Sequence, residues 1–135
     1  MTGLSAKLAR FVAETTYDDV PARSREMAKR CLLDAIGVSL AATAHAEVCR
    51  PFRELAIEQG GRPECTLLGS EVRVPAAAAA FANGALAHAL DFEDSHDGAL
   101  LHPNAPTIPA VLAASEAYGP VSGRDVITAT VLGCE

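Results

Sequence analysis

Residues 75–90 read Pro75-Ala-Ala-Ala-Ala-Ala-Phe81-Ala-Asn83-Gly84-Ala-Leu86-Ala-His88-Ala-Leu90, and this stretch decides the fold. Alanine gives up no side-chain entropy on entering a helix and is the strongest helix former. The segment is therefore helical by propensity alone, with Pro75 at its start, where a missing N–H costs nothing. Several of its faces carry almost no bulk. A helix so thin lets neighbouring backbones approach closely, so it belongs at the centre of an all-α, Ala-rich bundle. Composition agrees: half the residues are hydrophobic, aromatics make up 4%, and Trp is absent. The core must be assembled from Ala, Leu, Val and Ile.

Working outward, Leu4, Leu8, Phe11 and Val12 recur at helical spacing and predict a short amphipathic helix over 4–16. A longer helix over 21–42 carries Met27, Ala28, Cys31, Leu32, Ala35, Ile36 and Leu40 on one side, with Arg23, Arg25, Lys29 and Arg30 on the other. Gly37 inside it costs about 1 kcal/mol relative to Ala, and its expected use is to admit another helix. Pro51 opens a third helix that stops at Gly60-Gly61. Near 64–74, two extended arms around Gly69-Ser70 predict a short β-hairpin. Beyond the central helix, 91–106 breaks every period. Pro109 then starts another Ala-rich helix, and Ser122 with Asp125 caps a last one. That helix is still running at Glu135, so the chain reads as truncated from a longer protein.

The net charge is −6 and the pI near 5.1, which argues against nucleic acid and anionic membranes as partners. A small anionic substrate is compatible with it, because one local cation can outweigh the global sign. Cys31, Cys49, Cys65 and Cys134 show no C-x-x-C spacing and read as free thiols in a reducing compartment. No signal peptide and no membrane-length apolar run are visible, so the expected location is cytoplasmic. Neither glycine-rich phosphate-binding pattern is present.

The chemistry concentrates in His88-Ala-Leu-Asp91-Phe-Glu93-Asp94-Ser95-His96, followed by His102-Pro103-Asn104. Long loops in compact domains are commonly functional. His88 and Asp91 lie three apart and can share a helix face. An imidazole moves protons near neutral pH, and a carboxylate beside it orients the ring or acts as base. Plainer readings stand beside this one. Asp91 and Asp94 can serve as turn caps, and His88 on an Ala-rich face reads as a core histidine. His88, Asp91, His96 and His102 are also potential metal ligands, although no strong metal motif is present. His45, near the end of its helix, reads as structural.

The order of features resembles the MmgE/PrpD family. The resemblance is carried by Cys31-Leu-Leu-Asp34-Ala-Ile-Gly37, Thr66-Leu-Leu-Gly69, Val74-Pro75-Ala, Phe81-Ala-Asn83-Gly84-Ala-Leu-Ala-His88, Ala-Leu-Asp91-Phe-Glu-Asp94-Ser95 and His102-Pro103. It covers nearly the whole chain and is densest over 81–109. It implies that 1–135 is the N-terminal portion of a large all-helical domain joined to a smaller α/β domain in a two-domain protein, a homodimer, and proton chemistry beside a carboxylate without a required metal or organic cofactor. It implies catalytic roles for Asp91 and His102 and substrate contacts from Ser95; Asp94 and His96, beside them on the loop, are expected to bind substrate too. A Lys and a further His of the family lie beyond Glu135. The common family form has Asp at the position of Glu93 and often Thr at that of Ser95, and the spacing from Ser95 to His102 varies.

By resemblance the full-length protein is a lyase on a small di- or tricarboxylate, with 2-methylcitrate dehydration the leading expectation. Cis-aconitate decarboxylation and epimerisation are alternatives within the family. The 135-residue chain alone is expected to be inactive. Two readings come from other classes: a non-catalytic helical dimerisation module, and a metal-binding hydrolase domain.

Overall fold

A computed structural model describes residues 3–135. In chain order it contains α1 (Leu4–Glu14), α2 (Ala22–His45), a 3-10 turn (Glu47–Cys49), α3 (Arg50–Glu58), β1 (Cys65–Thr66), β2 (Arg73–Val74), α4 (Ala76–His88), α5 (Asn104–Tyr118) and α6 (Gly123–Cys134). No single helix among the described residues is long and apolar enough to cross a membrane.

The central position of α4 follows from its alanines. It packs against α2, α3, α5 and both strands, and Ala78, Ala79, Ala82, Leu86 and Ala87 are buried along it. Ala78, Ala79 and Ala82 form the main core cluster with Ala56, Cys65, Leu67, Val74 and Ala113, and Leu86 packs in a second with Ala42 and Cys49. The predicted hairpin is present as an antiparallel pair, with Cys65 opposite Val74 and Thr66 opposite Arg73. Buried Asn83 ties it to α4: its Oδ1 accepts the Leu68 N–H at 3.0 Å and its Nδ2 donates to the Thr66 carbonyl at 2.9 Å. The turn needs Gly69 at φ 72, where a Cβ would come within 2.4 Å of Thr43 on α2.

Three expectations change. Helix α5 begins at Asn104 and not at Pro109, which sits buried inside it. Pro106 occupies the third helical position, where the N–H has no helical partner anyway, so the first turn tolerates it. Pro109 lies deeper, where a proline forfeits a ladder bond and its ring crowds the carbonyl four residues back. Gly37 does not mark a close helix approach, since a Cβ there would meet nothing within 4 Å; it lines an open apolar groove with Leu33, Val38 and Phe92. His88 is not a core histidine, because its side chain is 61% exposed. The Ser122–Asp125 capping box of α6 forms in full.

Candidate active site

The loop from Ala89 to Pro103 joins the C-terminus of α4 to the N-terminus of α5. The chain leaves α4 through Asp91 in the left-handed region, at φ 55, with its N–H donating to the His88 carbonyl at 3.1 Å. Aspartate tolerates this conformation better than most residues. The turn leaves the Asp91 side chain 81% exposed, with Oδ1 3.9 Å from His102 Nε2.

His102 is fixed from its other side. Its Nδ1 lies 2.5 Å from the Asp94 carbonyl. A carbonyl only accepts, so Nδ1 carries the proton and donates. In the neutral ring the lone pair then sits on Nε2, facing Asp91. The bond to the Asp94 carbonyl raises the His102 pKa above its ordinary value; partial burial opposes this, and the charges of Glu93, Asp91 and Asp94 reinforce it. The Asp94 side chain has a separate task. Its Oδ1 accepts the Asn104 N–H at 3.0 Å and satisfies a free donor at the start of α5. One residue thus anchors both the imidazole and the helix that follows it.

Asp91, Asp94 and His102 are therefore brought together. Ser95 and His96 occupy the outer part of the loop. Ser95 is exposed, and its Oγ donates to Asp97 at 3.2 Å. The His96 N–H donates to the Leu101 carbonyl at 2.9 Å, and its Nδ1 accepts the Ala99 N–H at 3.0 Å, which closes the 96–101 turn.

A pairing that the sequence did not reveal joins His88 to Glu93, five residues on across the helix end. His88 Nδ1 hydrogen-bonds Glu93 Oε1. The Glu93 side chain is only 2% exposed, and its Oε2 is buried without a partner. The His88 and His102 rings lie 5.6 Å apart at 50°. Among the described residues, donor atoms of His88, Asp91 and Glu93 fall within 4.8 Å of one another, a set whose spacing could by geometry hold a divalent ion. His96 is not part of it.

Grooves flank the loop. An apolar one of about 520 Å³ runs between α3, α4 and α5, with Phe52, Phe81 and His88 in its walls. Another, of about 410 Å³, is lined by Arg30, Cys31, Leu33, Asp34, Asp94 and Asn104. Asn104 is buried there, with no partner for its Nδ2.

The MmgE/PrpD N-terminal domain matches residues 6–135. A cis-aconitate decarboxylase-like protein of Aspergillus oryzae is 33% identical over 98% of this chain and 28% of its own length. The cis-aconitate decarboxylase of Aspergillus terreus is 31% identical over 99% of this chain and 28% of its own. That of Mus musculus is 32% identical over 79% and 22%, respectively. The chain thus spans little more than a quarter of the length of the first two relatives. With its helical core and the 91–102 loop both inside the matched region, the chain belongs to the MmgE/PrpD family.

Proposed function

We propose that this chain supplies the acid/base centre of a lyase acting on a small tricarboxylate, with decarboxylation of cis-aconitate as the reaction. One observation carries the reading: His102 is held through Nδ1 by the Asp94 carbonyl, with Nε2 turned toward Asp91. The names of the relatives favour decarboxylation over the 2-methylcitrate dehydration expected from the resemblance alone.

The chemistry needs one proton. The C–C bond to the departing carboxylate breaks, CO2 leaves, and the electron pair stays on carbon in conjugation with a neighbouring carboxylate. An imidazolium then protonates that carbon. Holding the ring by Nδ1 aims the acidic Nε2–H outward, and the raised pKa of His102 keeps more of the acid form present near neutrality. Asp91 orients the imidazolium and stabilises its charge. Ser95 and the loop N–H groups contact a substrate carboxylate, and Arg30 brings positive charge to the groove that includes Asp94. The later Lys implied by the family resemblance would add more. Dehydration of 2-methylcitrate is the second reading, in which Asp91 takes a proton before His102 protonates the leaving hydroxyl.

The test is turnover of cis-aconitate, followed as CO2 release, by the polypeptide that the complete reading frame encodes. His102→Ala should lower kcat by about 100-fold or more, the range of general acid catalysis, without loss of fold. Since the acid form is the active one, kcat should fall as pH rises through the His102 pKa, which the Asp94 carbonyl holds above the ordinary histidine value. Unchanged turnover in His102→Ala sinks the assignment. Loss of 2-methylcitrate while cis-aconitate is inert favours the second reading.

A further inference from the structure

We propose that His88 is a second proton-transfer group of this site and that Glu93 is the residue that positions it. The inference rests on the acid/base reading of His102 and extends it to a pair of imidazoles.

His88 ends α4, and its ring is largely exposed, 61% by side chain. An exposed histidine needs no buried partner, because water satisfies both nitrogens. This one nevertheless has a carboxylate from below, on a glutamate with 2% of its side chain exposed. Burying a carboxylate is unfavourable unless it is fully hydrogen-bonded, and Glu93 keeps one oxygen without a partner. A fold selected for stability alone would place an apolar residue there. With Oε1 engaging Nδ1, the proton of the neutral His88 ring is held on Nδ1 and the lone pair on Nε2 is free, the same tautomer that the Asp94 carbonyl imposes on His102. Two rings set alike, 5.6 Å apart and tilted by 50°, can address one small carboxylate from two sides. One can take a proton while the other gives one; in decarboxylation either can deliver the single proton consumed, and solvent restores it. The charged groups facing the pair are Asp91, Glu93 and Asp94, and Cys49 lines the apolar groove that His88 also borders.

The test uses long-range proton–nitrogen NMR of the histidine rings in the intact chain. At a pH where the rings are neutral, His88 should carry its proton on Nδ1. In Glu93→Met it should become a mixture of tautomers while the backbone amide spectrum is retained. An unchanged His88 tautomer overturns the positioning role. Cis-aconitate is then added up to millimolar concentration to the product of the complete reading frame, labelled at its histidine rings. Joint shifts of His88 and His102 along one isotherm support the pair. Movement of His102 with His88 unmoved overturns this inference and leaves the His102 reading intact, whereas movement of neither overturns both. In the product of the complete reading frame, His88→Gln should lower kcat by about 100-fold with KM little changed. An unaltered kcat overturns the catalytic role.

Discussion

Glu93 sets function against stability at a single residue. Its carboxylate is buried, one oxygen engages His88, and the other has no partner. A buried polar atom left unsatisfied costs about 1–3 kcal/mol. Removing the carboxylate removes that cost, and the exposed His88 ring that loses its bond is free to hydrate. Glu93→Met, similar in length and apolar, should therefore leave stability unchanged or raise it by up to about 2 kcal/mol, measured by urea unfolding. A clear loss of stability would mean that the carboxylate is a structural anchor and would remove the reason for seeking a functional role. Asp94 is the opposite case. Its side chain accepts the Asn104 N–H at the start of α5 and its carbonyl holds His102, so the same residue serves both the helix and the imidazole.

At the scale of elements, close approach is concentrated where small residues meet, and Gly69 is the sharpest example. Its φ of 72 is one that an L side chain rarely adopts, and a Cβ would press on Thr43 Cγ2 at 2.4 Å. Gly69→Ala should cost about 2–3 kcal/mol in urea unfolding, from left-handed strain and overpacking together. Adding Thr43→Ala should recover the packing part and leave about 1–2 kcal/mol of backbone strain. Equal losses in the single and double variants would show that the contact is absent. The central helix, the hairpin and the Ser122 cap were legible because propensity, turn residues and a capping box act locally. The start of α5 was not, because a proline marks a helix start only as a preference, and Pro106 and Pro109 fit within the helix that Asp94 caps. The environment of His88 was illegible for a related reason. In an almost pure alanine helix each face looks alike, so hydrophobic contrast cannot say which side meets solvent. Its Glu93 partner lies across the helix end, outside the i, i+3 and i, i+4 rows that helical spacing makes visible.

Over the whole molecule, stability resides in α2 to α6 and their hairpin, and α1 stands apart. Leu4, Leu8, Phe11 and Val12 form its apolar face, and all are exposed; α1 has no buried residue. The chain is tied to the bundle just after this helix. The Arg25 and Arg124 guanidiniums lie over the Tyr17 ring at 4.7 and 4.3 Å, and Arg124 pairs with Asp18 at 2.5 Å. Fully burying a single Leu or Phe side chain is worth about 1.5–3 kcal/mol, so a helix that buried its apolar face against the bundle would contribute several times that. One that buries nothing contributes almost nothing, while its exposed stripe favours association with other polypeptide. Deleting residues 1–14 should therefore move the unfolding free energy by less than about 0.5 kcal/mol and should weaken any self-association seen in sedimentation. A loss of more than about 2 kcal/mol would show that α1 folds back onto the bundle in solution and that its apolar face already has a partner within this chain.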